Sequence, residues 1–150
     1  MSLPRQRQVA VAICCLVYAV SFFLPAGDNH NTPAILGWEA FLNALLLSWF
    51  LPMWWANPGF FLAGWWVLKG KPNWAMLATV VAALLALSQS IFLPPDSSTG
   101  YGYRLLIGYY VWLGSIVLLG LFSALFAARE AWSARGYRSA PTHSNVATPA

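Results

Sequence analysis

Charge is what this chain has least of. Only 8% of its 150 residues are charged, and just four are acidic: Asp28, Glu39, Asp96 and Glu130. A soluble domain carries about 25% charged residues, and so few charges do not cover a water-facing surface of this size. Histidine and cysteine are equally scarce. His30 and His143 are the two histidines, and Cys14 and Cys15 are adjacent. Neighbours on a helix point about 100° apart, which is poor geometry for a disulfide. No Cys-x-x-Cys spacing exists, so both thiols read as small apolar fillers. Asp28, His30 and Glu39 are the nearest thing to a metal set, and their spacing is unspecific, so a solvated loop is expected instead. Phosphate loop, HExxH, catalytic-triad spacing and dinucleotide fingerprint are all missing. The expectation is no cofactor, no metal and no enzymatic chemistry.

What is abundant is apolar. Such residues make up 59% of the chain, with nine tryptophans among them. They fall into long runs: Val9 to Leu24, Leu36 to Leu68, Trp74 to Leu93 and Leu105 to Ala128. The first has a basic start like a signal peptide, but its apolar part is long and Leu24-Pro25-Ala26 is a weak cleavage site, so an uncleaved helix is expected. Pro25 to Gly37 reads as a loop with turn chemistry at 27–31, and 94–100 as a second exposed loop. The tail 136–150 has no apolar periodicity and is expected to be disordered.

The second run is too long for one crossing. As a single helix it would reach about 50 Å, against a hydrocarbon core of about 30 Å. Charge placement resolves it. If the run crosses once, Arg5, Arg7, Lys69, Lys71, Arg129, Arg135 and Arg138 share one side, with Arg104 alone opposite. The positive-inside rule makes that side cytoplasmic. A crossing of about 20 residues counted back from Lys69 begins near Ser48. That leaves Gly37 to Leu47 as an interfacial segment or as part of one long tilted helix. These basic residues end apolar runs and form no patch, so nucleic acid is not an expected partner; the bilayer is.

Fold expectation follows: an all-α integral membrane bundle of four transmembrane helices over residues 9–128, approximately 9–24, 36–68, 74–93 and 104–128. Residues 1–8 form a cytoplasmic N-terminus, and the second helix is kinked or broken near Pro52–Pro58. Most tryptophans suit an aromatic belt at the interfaces. Trp54, Trp55 and Trp112 fall well inside a crossing. Small residues recur every four positions, at Ala78, Ala82 and Ala86 beside Ala75, Thr79 and Ala83, and again at Gly120, Ala124 and Ala128. They are expected to pack the third helix on the fourth, or one copy on another.

Six residues are candidates for polar contacts or substrate contacts. Asn57 falls near mid-membrane, and Pro58 beside it frees the carbonyl of Trp54. The carbonyls freed by proline, the indole N–H of Trp112 and the amide of Gln89 are the expected partners of Asn57. Arg104, the lone basic residue on the outer side, is expected to pair with Glu39, with Asp28 and Asp96 as the next candidates. The expected function is that of a non-enzymatic structural or accessory protein of a bacterial inner membrane, with both termini cytoplasmic. Its partners are lipid, a second copy of the chain or another membrane protein. The alternative is an oligomeric small transporter or channel with its polar site at Asn57.

Overall fold

A computed structural model describes residues 2–29, 32–47, 52–88 and 103–138. Helix α1 spans Leu3–Ser21. Strands β1 (Pro25–Asn29) and β2 (Thr32–Leu36) follow and pair antiparallel. Helix α2 is Gly37–Leu47. A 3-10 turn, Pro52–Trp55, leads into α3 (Ala56–Leu68), and α4 is Pro72–Leu87. Strand β3 (Tyr103–Leu105) lies antiparallel on β1, so the sheet order is β2-β1-β3. Helix α5 runs from Ile107 to Arg138.

Four helices pass antiparallel between the two ends of the molecule. On α1 and α3, Tyr18 meets Asn57 and Val11 lies beside Gly64. Between α3 and α4, a Cβ on Gly59 would stand 3.0 Å from that of Ala82. On α4 and α5, Tyr109 reaches Ala86, and Gly120 packs on Thr79. α1 and α5 meet at Gln6 with Arg129, and just beyond the end of α1 the Leu24 carbonyl lies against Gly108. The sheet closes one end. The other end gathers Arg5, Arg7, Lys69, Lys71, Arg129 and Arg135.

Each helix buries residues spaced three or four apart: Ala10, Cys14, Tyr18 and Ser21; Ala56, Phe60, Ala63 and Val67; Ala75, Thr79, Ala82 and Ala86; Ile116, Leu119, Ser123 and Phe126. This is the spacing of antiparallel bundles packed by knobs into holes. The seams are mostly small or weakly polar. Phe60, Val67, Ile116, Leu119 and Phe126 are the large apolar side chains among them, while many others point outward: Leu16, Val20, Phe61, Trp65, Leu77, Val81, Leu84, Val117 and Leu121 are all exposed. The α4 ridge divides its partners, Ala82 facing α3 and Thr79 facing α5. On α5 the expected ridge stops at Gly120, since Ala124 and Ala128 are exposed.

Local chemistry sets the boundaries. Pro4 lies in the first turn of α1, where a missing N–H costs nothing. The turn from α3 to α4 is a Schellman motif: Lys71 N–H donates to Trp66 O at 2.9 Å and Gly70 N–H to Val67 O at 3.1 Å. Gly70 has φ of 72°, which glycine adopts without strain, and Pro72 opens α4.

Several boundaries differ from the sequence reading. Residues 3–8 are helical, because Arg5, Gln6, Arg7 and Gln8 are good helix formers. The loop expected at 25–37 is largely a hairpin, β1 and β2, joined by β3; the fold is mostly helical, not all-α. The run 36–68 divides into α2, a 3-10 turn at Pro52–Trp55, where the break was expected, and α3, with 48–51 outside the described residues. The last helix starts at Ile107 rather than 104, where Arg104 belongs to β3, and continues ten residues past Ala128. Positions 136–138 of the expected disordered tail are therefore helical, and 139–150 lie outside the described residues. Among the described residues one helix, over Ile107–Arg135, is long and apolar enough to cross a membrane by itself.

Candidate functional site

Pro58 has no N–H to give the carbonyl of Trp54, four residues earlier. The 3-10 turn leaves that carbonyl beside the side chain of Asn57, whose Nδ2 donates to it at 3.2 Å. The amide so held turns its Oδ1 into the bundle. There it accepts from the Tyr18 hydroxyl at 2.7 Å and from Trp112 Nε1 at 2.9 Å. A carbonyl oxygen has two lone pairs, and both are engaged. Asn57 is 8% exposed. One amide thus ties α1, α3 and α5 together and also replaces a helical hydrogen bond that proline removed.

Aromatic rings wall this node. Tyr18 stacks on Phe60 with centroids 4.8 Å apart, and Phe22 and Phe61 meet it edge-on. Tyr109 lies 5.7 Å from Trp112, and its hydroxyl donates to Ala86 O at 3.0 Å, a carbonyl of the last turn of α4. The neighbouring hydroxyls bond back to their own helices: Ser21 to Tyr18 O, Thr79 to Met76 O, Ser115 to Trp112 O and Ser123 to Leu119 O. Among the described residues the bundle interior holds no carboxylate and no histidine.

The other candidates are placed separately. Gln89 lies outside the described residues. Pro58 is exposed on the outer face of α3. Glu39 accepts the N–H of Leu36 at 2.9 Å, which is the returning half of a capping box at the start of α2. Arg104 pairs in register with Asp28 across β1 and β3, and among the described residues no ion pair joins it to Glu39. The pairing expected between them is thus not formed: backbone capping holds the carboxylate. Trp54 is buried, whereas Trp55 faces outward. No metal-binding group of His, Cys, Asp and Glu occurs among the described residues; His30 lies outside them. Cys14 is buried, Cys15 exposed, and both are free.

Sequence reasoning missed a second cluster at the basic end. Arg7 forms an ion pair with Glu130 and lies over the Phe126 ring at 5.9 Å. A Cβ on Gly70 would stand 2.7 Å from its Nη1. Beside it Arg129 Nη1 donates to Gln6 Oε1 at 2.8 Å. Glu130 is the one acid in the polar segment that follows the fourth apolar run, and that was the signal available. Tyr18 was also missed, although a tyrosine hydroxyl inside an apolar run requires a partner.

No protein-family model matches the chain, and no curated protein or solved structure matches it either.

Proposed function

We propose that this chain is a four-pass integral membrane protein of a bacterial inner membrane, with both termini cytoplasmic. We further propose that it acts through its packed body as a non-enzymatic structural or accessory component. The observation that carries the membrane reading is an inversion of polarity. Most seam residues are small or hydroxyl-bearing, many large apolar residues face outward on all four passes, and charges collect at the ends. Water would make that arrangement unfavourable, and lipid favours it. Seen this way, the Asn57 node is a keystone. Both acceptor positions of Oδ1 go to the protein's own helices, so little is left for a substrate.

Cysteine labelling tests the passes. Asp28→Cys should react with a membrane-impermeant maleimide in intact cells. Lys71→Cys and Ser133→Cys should react only after permeabilisation. The native thiols Cys14 and Cys15 lie in the middle of α1 and should stay silent. Labelling of Lys71→Cys and Asp28→Cys from the same side would overturn the four-pass reading. For the role, purified full-length protein in liposomes should conduct no ions. A conductance abolished by Asn57→Leu in a well-folded variant would favour the oligomeric transporter instead.

A further inference from the structure

A groove of about 310 Å³ runs along the outer side of the α1–α5 contact, at the basic end of the bundle. Its floor is Ala10 and Phe126, both buried; the small side chain of Ala10 gives it depth. Val9 and Ile13 form one wall, and Leu125 with Phe122 the other. Gln6 and Arg129 stand at its polar end. From Gln6 to Ile13 the groove extends about 10 Å along α1, which lies within one leaflet's half of a hydrocarbon core of about 30 Å.

The charges at its mouth are unequal. Glu130 neutralises Arg7. Arg129 is exposed and bonded to a neutral amide, and among the described residues no carboxylate lies within ion-pair distance of it. An apolar trough ending in an uncompensated guanidinium complements one kind of occupant, a molecule with a long apolar chain and an anionic head. We infer that the groove binds an anionic phospholipid of the cytoplasmic leaflet. One acyl chain lies between Ile13 and Leu125, and the phosphate meets Arg129, whose fork of donors suits phosphate oxygens. This inference rests on the membrane reading proposed above.

The test uses the full chain in mild detergent and native mass spectrometry. Phosphatidylglycerol and phosphatidylcholine with the same acyl chains are offered at equal concentration. The wild type should retain phosphatidylglycerol preferentially. Arg129→Gln should reduce that preference about fivefold, the usual contribution of one basic residue near an anionic head. Lys71→Gln, at the same end but away from the groove, should leave it unchanged. Ile13→Trp, at an exposed position, should fill the trough and lower retention of both lipids. Leu125→Trp closes it from the other wall, so a folding defect in one variant leaves the other to decide. Equal retention of the two lipids by the wild type, or an equal effect of Arg129→Gln and Lys71→Gln, would overturn the site. Carbonate extraction separates the two failures. A chain stripped from membranes by carbonate defeats the membrane reading, whereas a resistant chain without lipid preference defeats the groove alone.

Discussion

At Asn57 three polar groups depend on one side chain. The Tyr18 hydroxyl, the Trp112 indole N–H and the Trp54 carbonyl each bond to it. Replacing it with leucine strands all three in an apolar interior, at about 1–3 kcal/mol for each group left unpaired. These costs do not add fully, because side chains relax. Asn57→Leu is expected to lower unfolding free energy by about 2–4 kcal/mol, measured by denaturation in detergent. Tyr18→Phe or Trp112→Phe removes one donor and leaves the other on Oδ1, so each should cost about 0.5–1.5 kcal/mol. A double mutant equal to the sum of the singles would mean that the two donors act independently. Part of this node was readable beforehand. Proline frees a carbonyl wherever it sits in a helix, and an amide beside it has a reason to be there. Tyr18 was not readable, because nothing local says which of the other helices a hydroxyl on α1 will meet.

At the scale of elements, the sheet end of the bundle rests on close backbone contacts. Leu24 O accepts from Gly37 N–H at 2.9 Å, and Phe22 O from Trp38 N–H at 3.1 Å. A Cβ on Gly108 would stand 2.8 Å from both Leu24 O and Pro25 O. Backbone cannot yield as a side chain can, so Gly108→Ala should destabilise by about 1–3 kcal/mol. Gly114, on the same helix, has nothing within 4 Å of such a Cβ. Gly114→Ala should therefore stabilise slightly, by about 0.5–1 kcal/mol. Melting both variants in the same detergent checks the contrast; equal effects would contradict this geometry. The hairpin itself was hidden in the sequence. Pro25, Gly27 and Asp28 in β1, with Pro33 in β2, read as turn residues, and neither strand alternates apolar with polar. The helical seams were hidden for a different reason. A helix whose outward face is also apolar shows no amphipathic stripe, so the spacing Ala75, Thr79, Ala82, Ala86 stood out only as a run of small residues. The end of α5 was misjudged because Arg129 closes the apolar run, whereas helix formation continues through good formers such as Arg129, Glu130 and Ala131.

For the whole molecule, the ion pair of Arg7 with Glu130 fastens α1 to α5 at the basic end. The Arg7 side chain is 15% exposed and that of Glu130 41%. Open surface pairs contribute about 0–1 kcal/mol. Removing Glu130 from a half-buried arginine should cost more, about 1–2 kcal/mol for Glu130→Gln, by the same denaturation assay. Restoration by Arg7→Glu in a Glu130→Arg background should be incomplete, because Arg7 also packs on Phe126. Full restoration would reduce the contact to charge alone.

β1 is the middle strand of the sheet, with β2 adjoining it in the chain and β3 arriving more than seventy residues later. In a four-pass chain, this order bears on how the protein is made. On that reading the hairpin would reach the outer side once α1 is in place, and one edge of β1 would stay open until β3 arrives. Only a segment delivered to the same side of the membrane can close that edge. On the four-pass reading proposed above, a chain with one pass inverted would leave β3 on the opposite side of the membrane from β1, and that edge of β1 would stay unpaired.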